Sequence, residues 1–151
     1  MGRDAWQAMH EERVSRIFIV SQCCASDLEL RRLVAISRLK HQKRNISGCL
    51  FWTGRYLAHL LEGTSSELGL AVQGMCGDGR QAAPKILFQG QVGVRHFNSS
   101  AFAFVPVREF DEAVAEAYDD TASLANRRIL LDFLVQEHAE HAFDLEAEES
   151  A

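Results

Sequence analysis

The chain has 151 residues, of which 47% are apolar, so it can bury the core of one domain and is not globally disordered. Its net charge of -5 argues against nucleic acid as the main partner, because phosphate binding requires a basic face. No apolar stretch reaches the ~18 residues of a membrane span, and the polar N-terminus lacks the apolar segment of a signal peptide. The sequence therefore predicts a cytoplasmic protein that does not bind membranes and whose cysteines are thiols.

The first predicted elements are a strand and the helix that follows it. The apolar run RIFIVSQ, over 16–22, is rich in β-branched residues and predicts a strand. Ser26 and Glu29 stand at the spacing of a capping box, which predicts a helix over 27–41. The apolar stripe of this helix ends at His41, so the pattern places that imidazole at the end of the buried face.

A β-hairpin and a second helix are predicted next. NISGCLFW, over 45–52, and RYLAHLLEG, over 55–63, are apolar runs separated by a turn-forming Thr-Gly pair. Within the second run, His59 has a leucine two positions away on either side. Residues two apart in a strand share a face, so His59 is predicted to point toward the core. A second capping box predicts a helix over 64–76.

Two more strands and two helices complete the predicted fold. Apolar runs predict strands over 85–94 and 101–107, and helical patterns cover 109–118 and 121–141. The order β-α-β-β-α-β-β followed by two helices predicts an α+β fold with a mixed five-stranded sheet and two helices on one face. The predicted segments are an N-terminal arm over 1–15, a domain over 16–107, C-terminal helices over 108–143 and a disordered acidic tail over 144–151.

The last predicted helix carries an apolar stripe whose members are Ile129, Leu130, Phe133 and Leu134. Helical spacing places these side chains on one side of the helix. We expect the stripe to pack on the free face of the sheet. The alternative is an interface with a protein partner or a second copy of the chain.

Five stretches occur in an informative order and spacing. They are RIFIVSQ, DLELRRLVAISR, NISGCLFWTGRYLAHLLEG, GDGRQ and RHFNSSAFAF, which together lie within residues 16–105. The most specific part is I-S-G, then G-R, then L-L-E-G followed by a helix. In this order the stretches resemble the BLUF family of blue-light sensors that use FAD. The resemblance implies a ferredoxin-like sheet with the flavin ring between the two covering helices.

The resemblance also implies three polar residues around the ring, and this chain departs from all three. The family's first-strand tyrosine, which donates the electron and proton, falls on Phe18. The asparagine that anchors the ring falls on His41, and the glutamine that switches hydrogen bonds falls on His59. The further pocket positions that the resemblance implies are Ser37, Ser100 and Phe102.

These changes alter the chemistry that the pocket can perform. Phenylalanine has no O–H group, and histidine lacks the amide carbonyl of glutamine. We therefore predict a sensory or regulatory module that acts through protein–protein contact and does not support the conventional flavin photocycle. We find no nucleophile–base pair and no phosphate-binding loop in the sequence, so we do not predict an enzyme.

Three alternatives for the pocket stay open. It could bind FAD with altered photochemistry, and this is the reason to keep FAD as a possible cofactor. It could bind a metal or haem through His41 and His59, with a third ligand from Cys49, Cys23, Cys24 or a partner chain. The large side chains of Phe18 and Phe102 could instead fill the volume that a flavin needs.

Overall fold

The computed structural model describes residues 13–97 and 102–149, and its elements follow the predicted order. The predicted N-terminal arm lies outside the described residues as far as residue 12, and Ser100 lies outside them as well. The strands are β1 (Ser15–Cys23), β2 (Ser47–Trp52), β3 (Tyr56–Gly63), β4 (Gln81–Gln91) and β5 (Phe102–Pro106). The helices are α1 (Asp27–Lys43), α2 (Ser65–Cys76), α3 (Asp111–Tyr118) and α4 (Leu124–Glu149), and a short 3-10 helix (Arg108–Phe110) precedes α3.

The five strands form one mixed sheet in the order β4-β1-β3-β2-β5. β1 pairs antiparallel with β3 and β4, and β2 pairs antiparallel with β3. β5 pairs parallel with β2 and closes the other edge of the sheet. The predicted mixed five-stranded sheet is thus confirmed.

Each face of the sheet buries its own layer of helices, because successive residues of a strand point to opposite faces. α1 and α2 cover one face, where Leu33 and Leu68 pack against strand residues such as Ile19 and Leu57. α3 and α4 cover the other face, where the apolar cluster includes Phe18, Leu60, Val114, Leu131 and Leu134. The predicted placement of two helices on one face and two C-terminal helices on the other is confirmed.

The capping box predicted at the start of α1 forms as expected. The Ser26 hydroxyl accepts the Glu29 backbone N–H at 3.3 Å, and the Glu29 carboxylate accepts the Ser26 backbone N–H at 3.2 Å. These bonds satisfy two of the backbone donors that every helix N-terminus exposes. The helix runs to Lys43, which places His41 in its last turn, where only 6% of the residue is exposed.

β4 differs from its prediction, because it begins at Gln81 and includes Pro84. A proline is tolerated there since β4 is an edge strand and the pairing with β1 shifts register opposite Ser21. Ala83 adopts the left-handed conformation at this bulge, with φ 49°. The Tyr118 hydroxyl donates to the Ala83 carbonyl at 2.6 Å and holds the bulge in place.

α4 confirms half of its predicted apolar stripe and corrects the other half. Leu130 and Leu134 are buried against the sheet, as expected, but Ile129 and Phe133 are 55% and 56% exposed. The reason is that the sheet needs only one narrow side of the helix, and Leu131 completes that side.

The end of α4 also differs from its prediction. The helix continues to Glu149, into the segment 144–151 that was expected to be disordered. Alanine, leucine and glutamate are strong helix formers, and this segment is rich in them. Even α4, with 26 residues, is not apolar enough to cross a bilayer, and the same holds for every other helix in the described ranges.

Candidate functional site

A cavity of about 100 Å³ lies on the sheet face that α1 and α2 cover. Three of the predicted pocket positions belong to this region, since Ser37, His41 and His59 all line the cavity. Phe102 lies beside it, with its ring 4.8 Å from the His41 ring in an edge-on arrangement. The structure therefore brings together four of the six predicted positions.

His59 projects from β3 into the cavity floor and is 1% exposed. Its Nε2 lies 3.1 Å from the Oε1 atom of Gln81, which also accepts the Ser21 hydroxyl at 2.6 Å. Its Nδ1 is buried and has no hydrogen-bond partner among the described residues. Burial lowers the pKa of His59 to about 4, against the opposing effects of Gln81 and Asp78, so the ring is neutral near pH 7.

His41 reaches the same cavity from the last turn of α1. Both of its ring nitrogens are buried and lack a partner within the part of the chain that the structure describes. Burial is the main cause that lowers the pKa of His41 to about 4, and the nearby His59, Arg44 and Lys40 lower it further. Three imidazole nitrogens without protein partners thus meet in one buried region, although buried polar groups are normally paired.

The structure corrects the predicted role of Phe18. Phe18 is fully buried in the cluster beneath α3 and α4, on the face opposite the cavity. Its neighbour Ile19 pairs directly with His59 across β1 and β3 and shares the face of that histidine. Phe18 therefore does not line the cavity, because a step of one residue along a strand reverses the face, and Ile19 is the β1 residue beside His59.

The pocket nevertheless lacks a tyrosine. The sequence contains two, Tyr56 and Tyr118. Their rings lie 5.2 Å apart and pack with the cluster on the face opposite the cavity. The β1 side chain beside His59 is therefore the aliphatic Ile19, which has no group that can donate a proton.

Two residues of the site were not predicted from the sequence. Gln81 lines the cavity, and Ser21 is fully buried and donates to it. The position of Ser21 could have been predicted, because it lies two residues after Ile19 on β1 and residues two apart in a strand share a face. Gln81 could not be found in this way, since the predicted start of β4 lay four residues too late.

Basic side chains surround the mouth of the cavity. Lys40 and Arg44 of α1 line it, together with Arg80 and Asp78. Arg80 donates two hydrogen bonds of 2.9 Å to the Asp78 carboxylate, and these bonds hold the pKa of Asp78 below its ordinary value. Arg80 is paired with Asp78, and Arg44 lies 3.9 Å from the Glu67 carboxylate, so these three cations and two carboxylates leave a small excess of positive charge that favours a ligand with an anionic portion.

The structure does not bring a third predicted metal ligand to the two histidines. Cys49 is buried in the cluster on the opposite face, where burial raises the pKa of its thiol well above the ordinary value. The Cys23 thiol lies 3.8 Å from the Ala25 carbonyl. No group of three or more metal-binding side chains occurs within residues 13–97 and 102–137.

The polar groups that line the cavity suit a flavin, but the volume of the cavity is small for one. Unpaired imidazole nitrogens suit a polar heteroaromatic ring, and the basic mouth suits phosphates. Ligand pockets usually measure roughly 300–1,000 Å³. At about 100 Å³, this cavity lies below that range and does not enclose a three-ring group with α1 and α2 in their present positions.

Comparisons with known proteins identify the family. The family model described as BLUF, sensors of blue-light using FAD, matches residues 14–103. The solved structure of BlrB, a BLUF protein in its dark state, has a TM-score of 0.68 and 15% identity, and the match covers 84% of this chain and 98% of BlrB. The photo-activated state of BlsA has a TM-score of 0.66 and 17% identity over 81% of this chain and 94% of BlsA.

A third solved structure is much longer than this chain. It is a bacterial light-regulated adenylyl cyclase, with a TM-score of 0.60 and 18% identity over 85% of this chain and 36% of the cyclase. At these identities the structural likeness establishes the ferredoxin-like fold alone. No curated protein matches the sequence. The family model covers more than half of the sequence, and the chain therefore belongs to the BLUF family of blue-light sensors that use FAD.

Proposed function

We propose that this chain is a BLUF-family signalling module that acts through contact with a protein partner and does not run the conventional flavin photocycle. The observation that carries the proposal is the pairing of Ile19 with His59 on the cavity face. The resemblance implies a first-strand tyrosine and a glutamine around the flavin ring, whereas the cavity face of this chain carries Ile19 and His59. In this proposal the chain is a cytoplasmic sensor and not an enzyme.

The replaced side chains remove two chemical steps. Ile19 has no O–H group and cannot give a proton. Neither of the two tyrosines of the sequence faces the cavity. His59 has no amide that could rotate or tautomerise, although it can donate or accept a hydrogen bond through each ring nitrogen. The pocket therefore retains hydrogen-bonding capacity without the residues of the family's light reaction.

A second candidate function is supported by the three unpaired imidazole nitrogens, which favour a bound polar ligand. If that ligand is FAD, it supplies the absorption of blue light. Ser37, His41 and His59 would contact its ring, and Lys40 and Arg44 would face its phosphates. The chain would then be a flavin-binding receptor with altered photochemistry. Metal or haem has less support, because among the described residues two imidazoles meet in the cavity and no third ligand joins them.

Absorption spectroscopy tests the proposal. Protein purified in the dark and then incubated with FAD should show no reversible red shift under blue light. The variant Ile19→Tyr/His41→Asn/His59→Gln restores the three residues that the resemblance implies and should gain such a shift. The matched control Phe18→Tyr/His41→Asn/His59→Gln carries its tyrosine on the opposite face and should not gain one.

Two results would contradict these statements. A reversible red shift in the wild-type protein loaded with FAD would show that the photocycle is retained. An iron- or haem-type spectrum that disappears in His59→Ala would replace flavin with the metal alternative.

The partner surface in this proposal is a groove of about 500 Å³ between α3 and α4. Its walls include the half-exposed Ile129 and Phe133 and the carboxylate of Glu116. Glu112 lies one turn before Glu116 on α3 and is paired with Arg55 at 2.8 Å, so Glu116 supplies the acidic edge of the groove itself. Apolar walls with an acidic edge fit a partner helix that has an apolar face and basic flanks. A second copy of this acidic chain fits less well.

A synthetic amphipathic helix of leucine and lysine provides the probe for this surface. Fluorescence anisotropy should show that it binds the wild-type protein and binds the Phe133→Ala variant at least about tenfold more weakly. The same peptide with glutamate in place of lysine should not bind. Equal binding of both peptides, or a dimer in light scattering that the lysine peptide does not dissociate, would overturn the assignment of a basic partner.

A further inference from the structure

Two hydrogen bonds converge on one atom at the floor of the cavity. The Oε1 atom of Gln81 lies 2.6 Å from the Ser21 hydroxyl and 3.1 Å from His59 Nε2. All three residues are at least 94% buried, so this short chain of polar groups is shielded from water. Such a chain fixes the direction in which each member donates.

The distances determine that direction. A separation of 2.6 Å is typical of an O–H···O bond, whereas N–H···O bonds usually measure roughly 2.9–3.0 Å. The carbonyl side of the Gln81 amide therefore faces Ser21, and the same oxygen can only accept from His59. A neutral imidazole has one N–H group, so that proton is on Nε2 and Nδ1 is left as an acceptor.

The bulge between β1 and β4 keeps this arrangement in place. The register shift lies at Ser21, and the left-handed Ala83 lies two residues after Gln81. The Tyr118 hydroxyl holds the Ala83 carbonyl at 2.6 Å from the other side of the sheet. Ser21 and Gln81 are thus fixed by backbone geometry and act on the cavity through His59 as positioning residues.

We propose that Gln81 holds His59 in the Nε2–H tautomer, and that the cavity thereby selects a ligand that presents a hydrogen-bond donor, N–H or O–H, to His59 Nδ1. The inference rests on the proposed ligand-binding role of this cavity. It adds the polarity of the ligand, which neither the family match nor the fold specifies.

His41 does not set this polarity. Both of its ring nitrogens lack partners among the described residues, and its neutral ring offers one donor and one acceptor. Its ring can therefore serve a ligand of either polarity. His59 has only an acceptor left, so discrimination between donor and acceptor ligands depends on His59 and on the residue that fixes its proton.

The tautomer can be measured without any ligand. Imidazole ¹⁵N chemical shifts of the wild-type protein at pH 7 should show His59 protonated at Nε2. Gln81→Met removes the accepting oxygen at similar volume and should produce a mixture of tautomers. The control Gln89→Met makes the same change at an exposed position of β4 and should leave the His59 signals unchanged.

The ligand polarity can be measured with two small rings of nearly equal shape. Pyrrole offers an N–H donor, and furan offers an oxygen acceptor. An engineered cavity of about 150 Å³ binds benzene, so five-membered rings suit the present size. In titrations followed by NMR, the wild-type protein should bind pyrrole at least about tenfold more tightly than furan. Gln81→Met should reduce that preference to less than about threefold.

The wild-type protein alone is sufficient to overturn the proposal, even if Gln81→Met does not fold. A His59 ring protonated at Nδ1, equal affinity for both probes, or binding of neither probe would each contradict it. These failures are distinguishable from failure of the proposed function, which is decided by the light response and by the partner peptide.

Discussion

Two neutral histidines dominate the chemistry of the cavity at the scale of single residues. His41 and His59 both have pKa values near 4, mainly because burial disfavours the charged ring. Protonation would place two charges in one small, buried region, and His59 is itself one of the causes of the lowered pKa of His41. The cavity is therefore suited to neutral hydrogen bonding at physiological pH.

The folded protein should lose stability as the pH falls from 6.5 to 4. In the unfolded chain both histidines return to a pKa near 6.5, so in this window the unfolded state binds more protons than the folded state. Above pH 6.5 neither histidine lowers the free energy of unfolding. By pH 4 each histidine has lowered it by about 3 kcal/mol. Urea denaturation at several pH values measures the slope. His59→Gln should flatten it by about half, and an unchanged slope would contradict the lowered pKa values.

Glu62 is a second residue whose environment is unusual. It is fully buried, and its carboxylate accepts hydrogen bonds from the Arg16 guanidinium at 2.8 Å and from the backbone N–H groups of His96 and Phe97 at 3.0 and 2.8 Å. These bonds fasten the segment after β4 to the end of β3. Glu62 thereby holds His96 and Phe97 against the end of β3.

Glu62→Ala should lower the free energy of unfolding by about 3–5 kcal/mol, because it leaves the donors around a buried carboxylate without their acceptor. Glu67→Ala is the control. Glu67 forms a salt bridge of 3.9 Å with Arg44, and both side chains are 37% exposed. Its loss should cost less than about 1 kcal/mol. Thermal and urea denaturation of both variants measure the difference, and equal losses would contradict this account.

The sequence predicted the site residues unevenly for a physical reason. His41 and His59 were identified because spacing along a helix and a strand fixes their faces. Phe18 was placed in the pocket wrongly, because a step of one residue along a strand does not change the strand assignment but reverses the side-chain direction. The position of Gln81 depends on a bulge that no local sequence pattern predicts, so its contact with His59 is visible only in the folded structure.

At the scale of elements, β2 and β3 leave no room for a side chain at Gly48. A Cβ atom added to Gly48 would collide with the backbone carbonyl oxygen of Leu60. That oxygen belongs to the strand that carries His59, and a backbone atom cannot turn aside as a side chain can. Gly48 therefore allows β2 to pack close enough to pair with β3 in the observed register.

Gly48→Ala should separate the two strands and cost about 1–3 kcal/mol or more of unfolding free energy. Gly69→Ala makes the same change on α2, where nothing lies within 4 Å of the added carbon. That variant should gain about 0.5–1 kcal/mol, since alanine is the better helix former. Opposite signs in urea denaturation are the expected result. Equal losses of unfolding free energy in the two variants would show that the collision at Gly48 is not the cause of the destabilisation.

The order and type of the elements were predictable, and their ends were less so. The Ser26–Glu29 capping box located the start of α1, and the Thr64 cap, whose hydroxyl accepts the Glu67 N–H, located the start of α2, because such caps satisfy backbone donors by local contacts. The start of β4 was missed because a proline within a strand depends on that strand lying at the edge. The sheet order is a tertiary property, which periodicity within one segment cannot supply.

At the scale of the whole molecule, α4 divides its apolar side chains between a core and a surface. Leu134 is fully buried against the sheet, and the adjacent Phe133 is 56% exposed beside α3. The sheet requires the first residue for packing. The second adds little to the packed core and is available to a partner.

Leu134→Ala should therefore cost about 2–5 kcal/mol of unfolding free energy, because it leaves a cavity in the core beneath α4. Phe133→Ala should change it by less than about 0.5 kcal/mol, as is usual at surface positions. Differential scanning calorimetry of the two variants provides the measurement. A loss at Phe133 as large as that at Leu134 would show that the groove is part of the core.

The alternation of β1 and β3 between two separate clusters lets the two sides of the molecule change independently. Ile19 and His59 pack on the helices of one layer, whereas Phe18 and Leu60 pack on the other. Substitutions without shared neighbours usually have additive effects on stability. The double variant His59→Gln/Leu134→Ala should thus change stability by the sum of its single variants to within about 0.5 kcal/mol. Such independence allows the residues that line the cavity to diverge while the layer of α3 and α4 is preserved.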